Sequence, residues 1–125
     1  MAIHSDQIKS TGKWGEDQAE KYLRKKGYRT IERNFSCRFG EIDLIVSDRT
    51  YLVFVEVKTR ERGRPGDGLL TINAGKQKRI ARGATLYLMS HHLLSQPVRF
   101  DAVEVVQGSI TYIPNAFQPG GMFFK

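Results

Sequence analysis

Gly40-Glu41-Ile42-Asp43-Leu44-Ile45-Val46, the polar break Ser47-Asp48-Arg49-Thr50, and Tyr51-Leu52-Val53-Phe54-Val55-Glu56-Val57-Lys58 read as one β-hairpin. The second arm is apolar enough for a buried strand, yet it ends in a carboxylate and an ammonium. Side chains at i and i+2 share a strand face, so Glu56 and Lys58 point the same way. A two-residue turn at Arg49-Thr50 pairs Asp48 with Tyr51 and sets Asp43 opposite Glu56. Directly opposite residues share a face, so two carboxylates and a lysine converge. Close carboxylates repel unless a cation sits between them, and a divalent metal with oxygen ligands is the usual solution. Without one, at least one pKa among Asp43, Glu56 and Glu16 should rise. Glu41 has the parity of Asp43 and is a further candidate, its other reading being an ion pair with Arg38 or Lys58.

Outward from the hairpin, helical spacing predicts a first helix over residues 11–26, capped by Ser10 or Thr11 and stopped by Gly27. Ala19, Tyr22, Leu23 and Lys26 supply its partly apolar face, and Trp14 and Tyr22 read as core residues. A strand is expected over 28–35, an Arg/Gly/Pro-rich loop over 59–71 and a second helix over 72–90 with Ile80, Ala84, Tyr87 and Leu88 buried. Strands follow over 98–106 and 109–113. Asp101 interrupts the first of these and reads as structural, paired with Arg99 or a backbone donor. The order is α-β-β-β-α-β-β. A long helix between the third and fourth strands implies a right-handed crossover and parallel pairing. The fold class is therefore an α/β sandwich, a central mixed sheet flanked by helices. Residues 1–10 read as a loose N-terminus, 11–117 as one domain and 118–125 as a tail.

The 125 residues fit one modest core, and 40% hydrophobic residues argue against wholesale disorder. No apolar run approaches the ~20 residues that span a bilayer, and the first residues lack the features of a signal peptide. A lone Cys37 cannot form an internal disulfide, which suits a reducing cytoplasm, and it reads as structural or incidental. The net charge is +7, and residues 57–82 hold eight Lys/Arg against two Asp/Glu, so most of the excess lies there. A basic stretch beside an acidic cluster suits a polyanion approaching a bound cation; its plainer reading is a solvated helix face and loop. Gly75-Lys76-Gln77 lacks the first glycine and the Ser/Thr of a phosphate-binding loop. No histidine has zinc-ligand spacing.

Glu16 shares a helix face with Ala19 and Leu23. By periodicity it reads first as an acid favoured by the helix dipole, and second as a third acid leaning toward the hairpin. Lys58 can orient a water and offset charge on a phosphate, pair with Glu56 or Asp43, or merely end a strand. Lys76, one turn before Ile80, faces either the sheet or solvent.

Gly15-Glu16, the Gly40–Ile45 block, Phe54-Val55-Glu56-Val57-Lys58-Thr59-Arg60, Lys76 with Arg79-Ile80, Arg99-Phe100-Asp101 and Asn115-Ala116-Phe117 occur in one order. Together they resemble the YraN family of small bacterial proteins over residues 11–117. That family is similar to the restriction-endonuclease-like (PD-(D/E)XK) nucleases, including archaeal Holliday-junction resolvases. The resemblance implies a three-layer restriction-endonuclease-like fold and catalytic positions at Glu16, Asp43, Glu56 and Lys58. It implies a Mg²⁺ site, with Mn²⁺ as a substitute, formed by Asp43, Glu56, the Val57 carbonyl and Glu16. Ile42 stands where many such nucleases carry Pro. The expected activity is metal-dependent endonucleolytic cleavage of DNA, including branched structures. Arg60, Arg62, Arg64, Lys76, Lys78, Arg79 and Arg82 would hold the phosphate backbone, and a homodimer is an expected state. The alternatives are a non-catalytic nucleic-acid-binding module and a protein-interaction factor, since fold alone does not set function.

Overall fold

The computed structural model of the chain describes residues 5–65, 67–68 and 72–119, with side chains from residue 12 onward. The elements are α1 (Ser5–Lys25), β1 (Arg29–Cys37), β2 (Gly40–Ser47), β3 (Leu52–Arg60), α2 (Ala74–Ser90), β4 (Val98–Val106) and β5 (Ser109–Ile113). The order is the α-β-β-β-α-β-β read from the sequence. The helix α1 begins six residues before its expected start. No Pro or Gly interrupts Ser5–Ser10, so the helix runs on through residues that lack an apolar period. Of the expected loose terminus, residues 1–4 lie outside the described residues, as do 120–125 of the tail.

All five strands form one sheet in the order β1-β2-β3-β4-β5. β3 and β4 are parallel, and the other neighbours are antiparallel. The parallel pair follows from the α2 crossover. Its central position explains why β3 reads as an unbroken apolar run: Leu52 to Glu56 are all buried, with a helix on each face.

The two faces have separate cores. On one, Ala19 and Leu23 of α1 pack with Leu44, Val46, Val53, Val55, Val103 and Val105. On the other, Ile80, Ala84, Tyr87 and Leu88 of α2 pack with Ile45, Phe54, Phe100 and Ala102. Three layers result. Gly27, at φ 101°, ends α1, and the Tyr28 amide bonds back to the Leu23 carbonyl at 3.1 Å. Asn73 caps α2 by accepting the Lys76 amide at 2.9 Å, which places the helix start two residues later than its apolar period suggests.

Trp14 is not a core residue: it is 43% exposed. On a helix it lies about 200° from Glu16, off the stripe that carries Ala19 and Leu23. Tyr22 does pack against the α1-side core. Asp101 is fully buried and satisfied by both expected partners. It receives Arg99 Nε at 2.9 Å and Nη2 at 2.7 Å, and the Asn115 amide at 2.8 Å. The Tyr112 hydroxyl adds a bond at 2.6 Å. No described helix is long and apolar enough to cross a membrane.

Candidate active site

The β2–β3 connection sets the register. Asp48 Oδ1 accepts the Thr50 and Tyr51 amides at 2.8 and 2.7 Å, and the Asp48 amide donates to the Tyr51 carbonyl at 3.1 Å. The two-residue turn at Arg49-Thr50 follows, and Ser47↔Leu52 leads to Leu44↔Val55. Counting on puts Asp43 opposite Glu56. There the backbone ladder gives way to a side chain, because Asp43 Oδ2 accepts the Val57 amide at 2.8 Å. Asp43 and Glu56 line one cavity with Lys76 and Arg79 of α2.

Glu16 arrives from the other face. Gly15 lies directly against Thr59 near the end of β3, so closely that a β-carbon at position 15 would collide with the threonine hydroxyl. That approach brings the next residue over the hairpin. Carboxylate oxygens of Glu16, Glu41 and Asp43 lie within 4.8 Å of one another. Arg33 of β1 holds α1 in place through Asp17 at 2.6 Å, Glu20 at 3.1 Å and Glu16 at 3.3 Å. Arg33 lowers the Asp17 pKa below the ordinary carboxylate range, and so stays paired to α1. Glu41 pairs with neither Arg38 nor Lys58 in the described contacts; its neighbours are Asp43, Glu16 and the Ser36 hydroxyl at 3.4 Å.

The acids are therefore distributed unequally. Glu56 is buried and bonded to Lys76 Nζ at 2.5 Å, whereas Asp43 is grouped with Glu16 and Glu41. Burial pushes the Asp43 pKa up to about 8, reinforced by the charges of Glu56, Glu16 and Glu41, and the Val57 amide only partly offsets this. The Lys58 pKa is lowered by burial and by Lys76, against the pull of Glu56 and Asp43. Burial also acts against charge on Lys76, but Glu56 more than compensates and leaves its pKa raised. One lysine is thus a fixed cation, and its neighbour holds its proton less firmly. The donor set of clustered carboxylate oxygens, with neither His nor Cys, fits a hard divalent cation such as Mg²⁺ or Mn²⁺.

The basic residues divide by position. Lys76 and Arg79 line the cavity, and Arg82 lies over the Phe39 ring at 5.9 Å. Lys78 is exposed about 200° around α2 from Lys76 and faces elsewhere. Arg62 and Arg64 are exposed on the loop. Arg60 is engaged within the protein. It bonds to the buried carboxylate of Glu104 at 3.0 Å and to the Arg64 carbonyl at 2.6 Å. Glu104 also accepts the Gly68 amide at 2.5 Å. Sequence reasoning missed Arg33 and Glu104. The signal for Glu104 was a carboxylate in an apolar strand, beside Lys58 in the β3–β4 register.

The model of the uncharacterised protein family UPF0102 matches residues 15–105. The chain belongs to the UPF0102 family. A UPF0102 protein of Geobacter metallireducens is 39% identical over 94% of this chain and 98% of its own length. UPF0102 proteins of Persephonella marina and Alkaliphilus metalliredigens are each 44% identical, over 85% and 87% of this chain and 91% and 98% of theirs. The UPF0102 match opens at Gly15, the residue that seats α1 on β3, and spans Glu16, Asp43, Glu56, Lys58 and Lys76, leaving Trp14 outside.

Proposed function

We propose that this UPF0102 member is a metal-dependent endonuclease that hydrolyses phosphodiester bonds in DNA. The observation that carries the reading is the crowding of Asp43, Glu16 and Glu41 beside the Lys58–Lys76 pair. Charge of this kind, held on rigid strands and a clamped helix, is stabilised by a cation from outside the chain. Asp43, Glu16 and Glu41 would hold Mg²⁺ or Mn²⁺, with the Glu56 carboxylate and the Val57 carbonyl as further oxygen donors. Such an ion would polarise the scissile phosphate.

The chain's own residues supply the rest. Lys76 and Arg79 attract a phosphate into the cavity and offset its charge. Lys58 orients the attacking water and offsets charge on the phosphate as oxygen bonds to phosphorus, the water's proton passing to solvent. The bond to the leaving sugar oxygen then breaks, and that oxygen takes a proton from solvent water. Exposed Arg62, Arg64 and Arg82 extend the contact along the backbone.

Cleavage of plasmid, flap and junction DNA with Mg²⁺ or Mn²⁺ tests this directly. Asp43→Ala and Glu56→Ala should each reduce it to background; cleavage that survives both changes defeats the assignment. The Lys76–Glu56 ion pair favours a second reading, a nucleic-acid-binding module without catalysis. Steeply salt-dependent DNA binding with no metal binding would select that module.

A further inference from the structure

Lys76 is the third residue of α2, and the helix cap fixes its backbone: Asn73 Oδ1 accepts the Lys76 amide at 2.9 Å. The side chain leaves the helix for the sheet, where Nζ meets Glu56 Oε2 at 2.5 Å. The two partners differ in freedom. Of Glu41, Asp43 and Glu56, which line the cavity, Glu56 is the buried one, 7% exposed on a central strand. The Lys76 side chain is 29% exposed and ends in an ammonium on a flexible four-carbon stem. It lines the same cavity as the acids. Glu16, Glu41 and Asp43 bring their oxygens within 4.8 Å of one another, and Glu56 beside them is bonded to the lysine instead.

We infer that Lys76 is the resident counter-ion of the site before metal binds, and that a divalent cation held by the carboxylates displaces its ammonium from Glu56 and frees it for the phosphate. This role rests on the metal-dependent reading and adds an order to it, cation first and phosphate second. A buried carboxylate keeps its charge only with a positive partner. In the metal-free protein that partner comes from α2. A dication gathers several carboxylate oxygens, whereas the ammonium brings a single charge. Like charges at one carboxylate repel, so the ion and the ammonium compete for Glu56. The lysine keeps its charge and changes its partner: its stem stays on the cavity wall while its head turns outward. A phosphate entering the same cavity then meets an unengaged ammonium. Before the exchange Glu56 already answers that charge, and the cavity attracts phosphate less. Binding of the cation and of the phosphate therefore favour each other, and the coupling runs through Lys76.

The test treats the full, unsubstituted chain briefly with an amine-acetylating reagent and reads each lysine by mass spectrometry. Saturating Mn²⁺ should raise modification of Lys76 by at least about five-fold, while exposed Lys78 changes by less than about two-fold. A phosphorothioate oligonucleotide, which resists hydrolysis, should protect Lys76 again when added with Mn²⁺. Calorimetry gives a second readout. Lys76→Met should tighten Mn²⁺ binding by at least about ten-fold. Lys58→Met removes a charge near the same acids but not the one bonded to Glu56, and should tighten it by no more than about three-fold. The labelling needs no variant, so it decides the matter even if Lys76→Met fails to fold. Lys76 modification that Mn²⁺ leaves unchanged, or that the oligonucleotide fails to suppress, overturns the inference. Equal tightening in the two lysine variants also overturns it, because the general field then accounts for the effect. If neither the wild-type protein nor Lys76→Met binds Mn²⁺, the metal-dependent reading falls too. If Mn²⁺ binds, Asp43→Asn abolishes that binding and Lys76 stays protected throughout, only this inference falls.

Discussion

Asp101 is a fully buried strand carboxylate and Asp43 a half-buried one, and they are treated in opposite ways. Asp101 receives a two-pronged Arg99, a tyrosine hydroxyl and a backbone amide, so its charge is answered within the chain. Asp43 receives one backbone amide and is grouped with Glu16 and Glu41, with Lys58 and Lys76 near it but no ion pair to it among those described. The cluster around Asp101 ties β4 to the Asn115 turn and to Tyr28 after α1, where Arg99 reaches the Tyr28 hydroxyl at 2.5 Å. It is a clamp. In the cluster around Asp43 only Glu16 has a cationic partner among the described ion pairs, Arg33 at 3.3 Å, so most of its charge is not answered in the way that of Asp101 is.

The comparison predicts opposite signs for two substitutions. Asp101→Ala leaves Arg99 without its buried partner and should cost about 3–5 kcal/mol in urea or thermal unfolding. Asp43→Asn keeps an acceptor for the Val57 amide and removes the repulsion. Without metal at pH 8 it should stabilise the protein by roughly 2–4 kcal/mol. A destabilising Asp43→Asn would show that the two acids do the same job.

The same contrast sets a pH dependence. Between the unfolded Asp value near 3.8 and the folded value of about 8, Asp43 is protonated in the folded state and ionised in the unfolded one. Unfolding then releases a proton, so stability should fall as pH rises through this window and level off above it. Asp43→Asn should flatten that slope in melts recorded from pH 5 to 9 without metal.

Mn²⁺ sharpens the comparison from the other side. At a hundred times its Kd it should stabilise the wild-type protein by about 2.7 kcal/mol, more readily at high pH where Asp43 is ionised. It should do this in Asp101→Asn but not in Asp43→Asn. Gly15→Ala forces α1 away from Thr59, and should cost about 1–3 kcal/mol and weaken the Mn²⁺ shift by displacing Glu16. The smallest effect belongs to Lys13→Ala, which removes an exposed pair with Asp17 at 3.7 Å; under about 0.5 kcal/mol is expected.

Where the chain could be read in advance, the determinants were local. The β2–β3 register follows from four consecutive residues around Asp48, and that turn brings Asp43 and Glu56 to one cavity. The β4 and β5 limits match the sequence reading because Pro97 and Gln107-Gly108 bracket them. The division of labour among the acids was not legible. Glu56 is answered by Lys76 from twenty residues later, and Arg60 by Glu104 across the crossover, so both pairings depend on register established only in the folded sheet. Arg33 was missed for the same reason, since its three partners lie on α1. Trp14 shows a different failure: the usual burial of its residue type outweighed its angular position on the helix.

The parallel β3–β4 pair has a temporal consequence. Glu16, Glu41, Asp43 and Glu56 all precede the crossover, and the ammonium that neutralises Glu56 is carried by the crossover helix itself. During synthesis Glu16 meets its partner Arg33 on the next element, β1, whereas Glu56 waits for the crossover helix to supply its ammonium. Docking of that helix delivers Lys76 and closes the second core together, so local release of the helix would strip Glu56 of its ammonium and uncover one face of the sheet in one event.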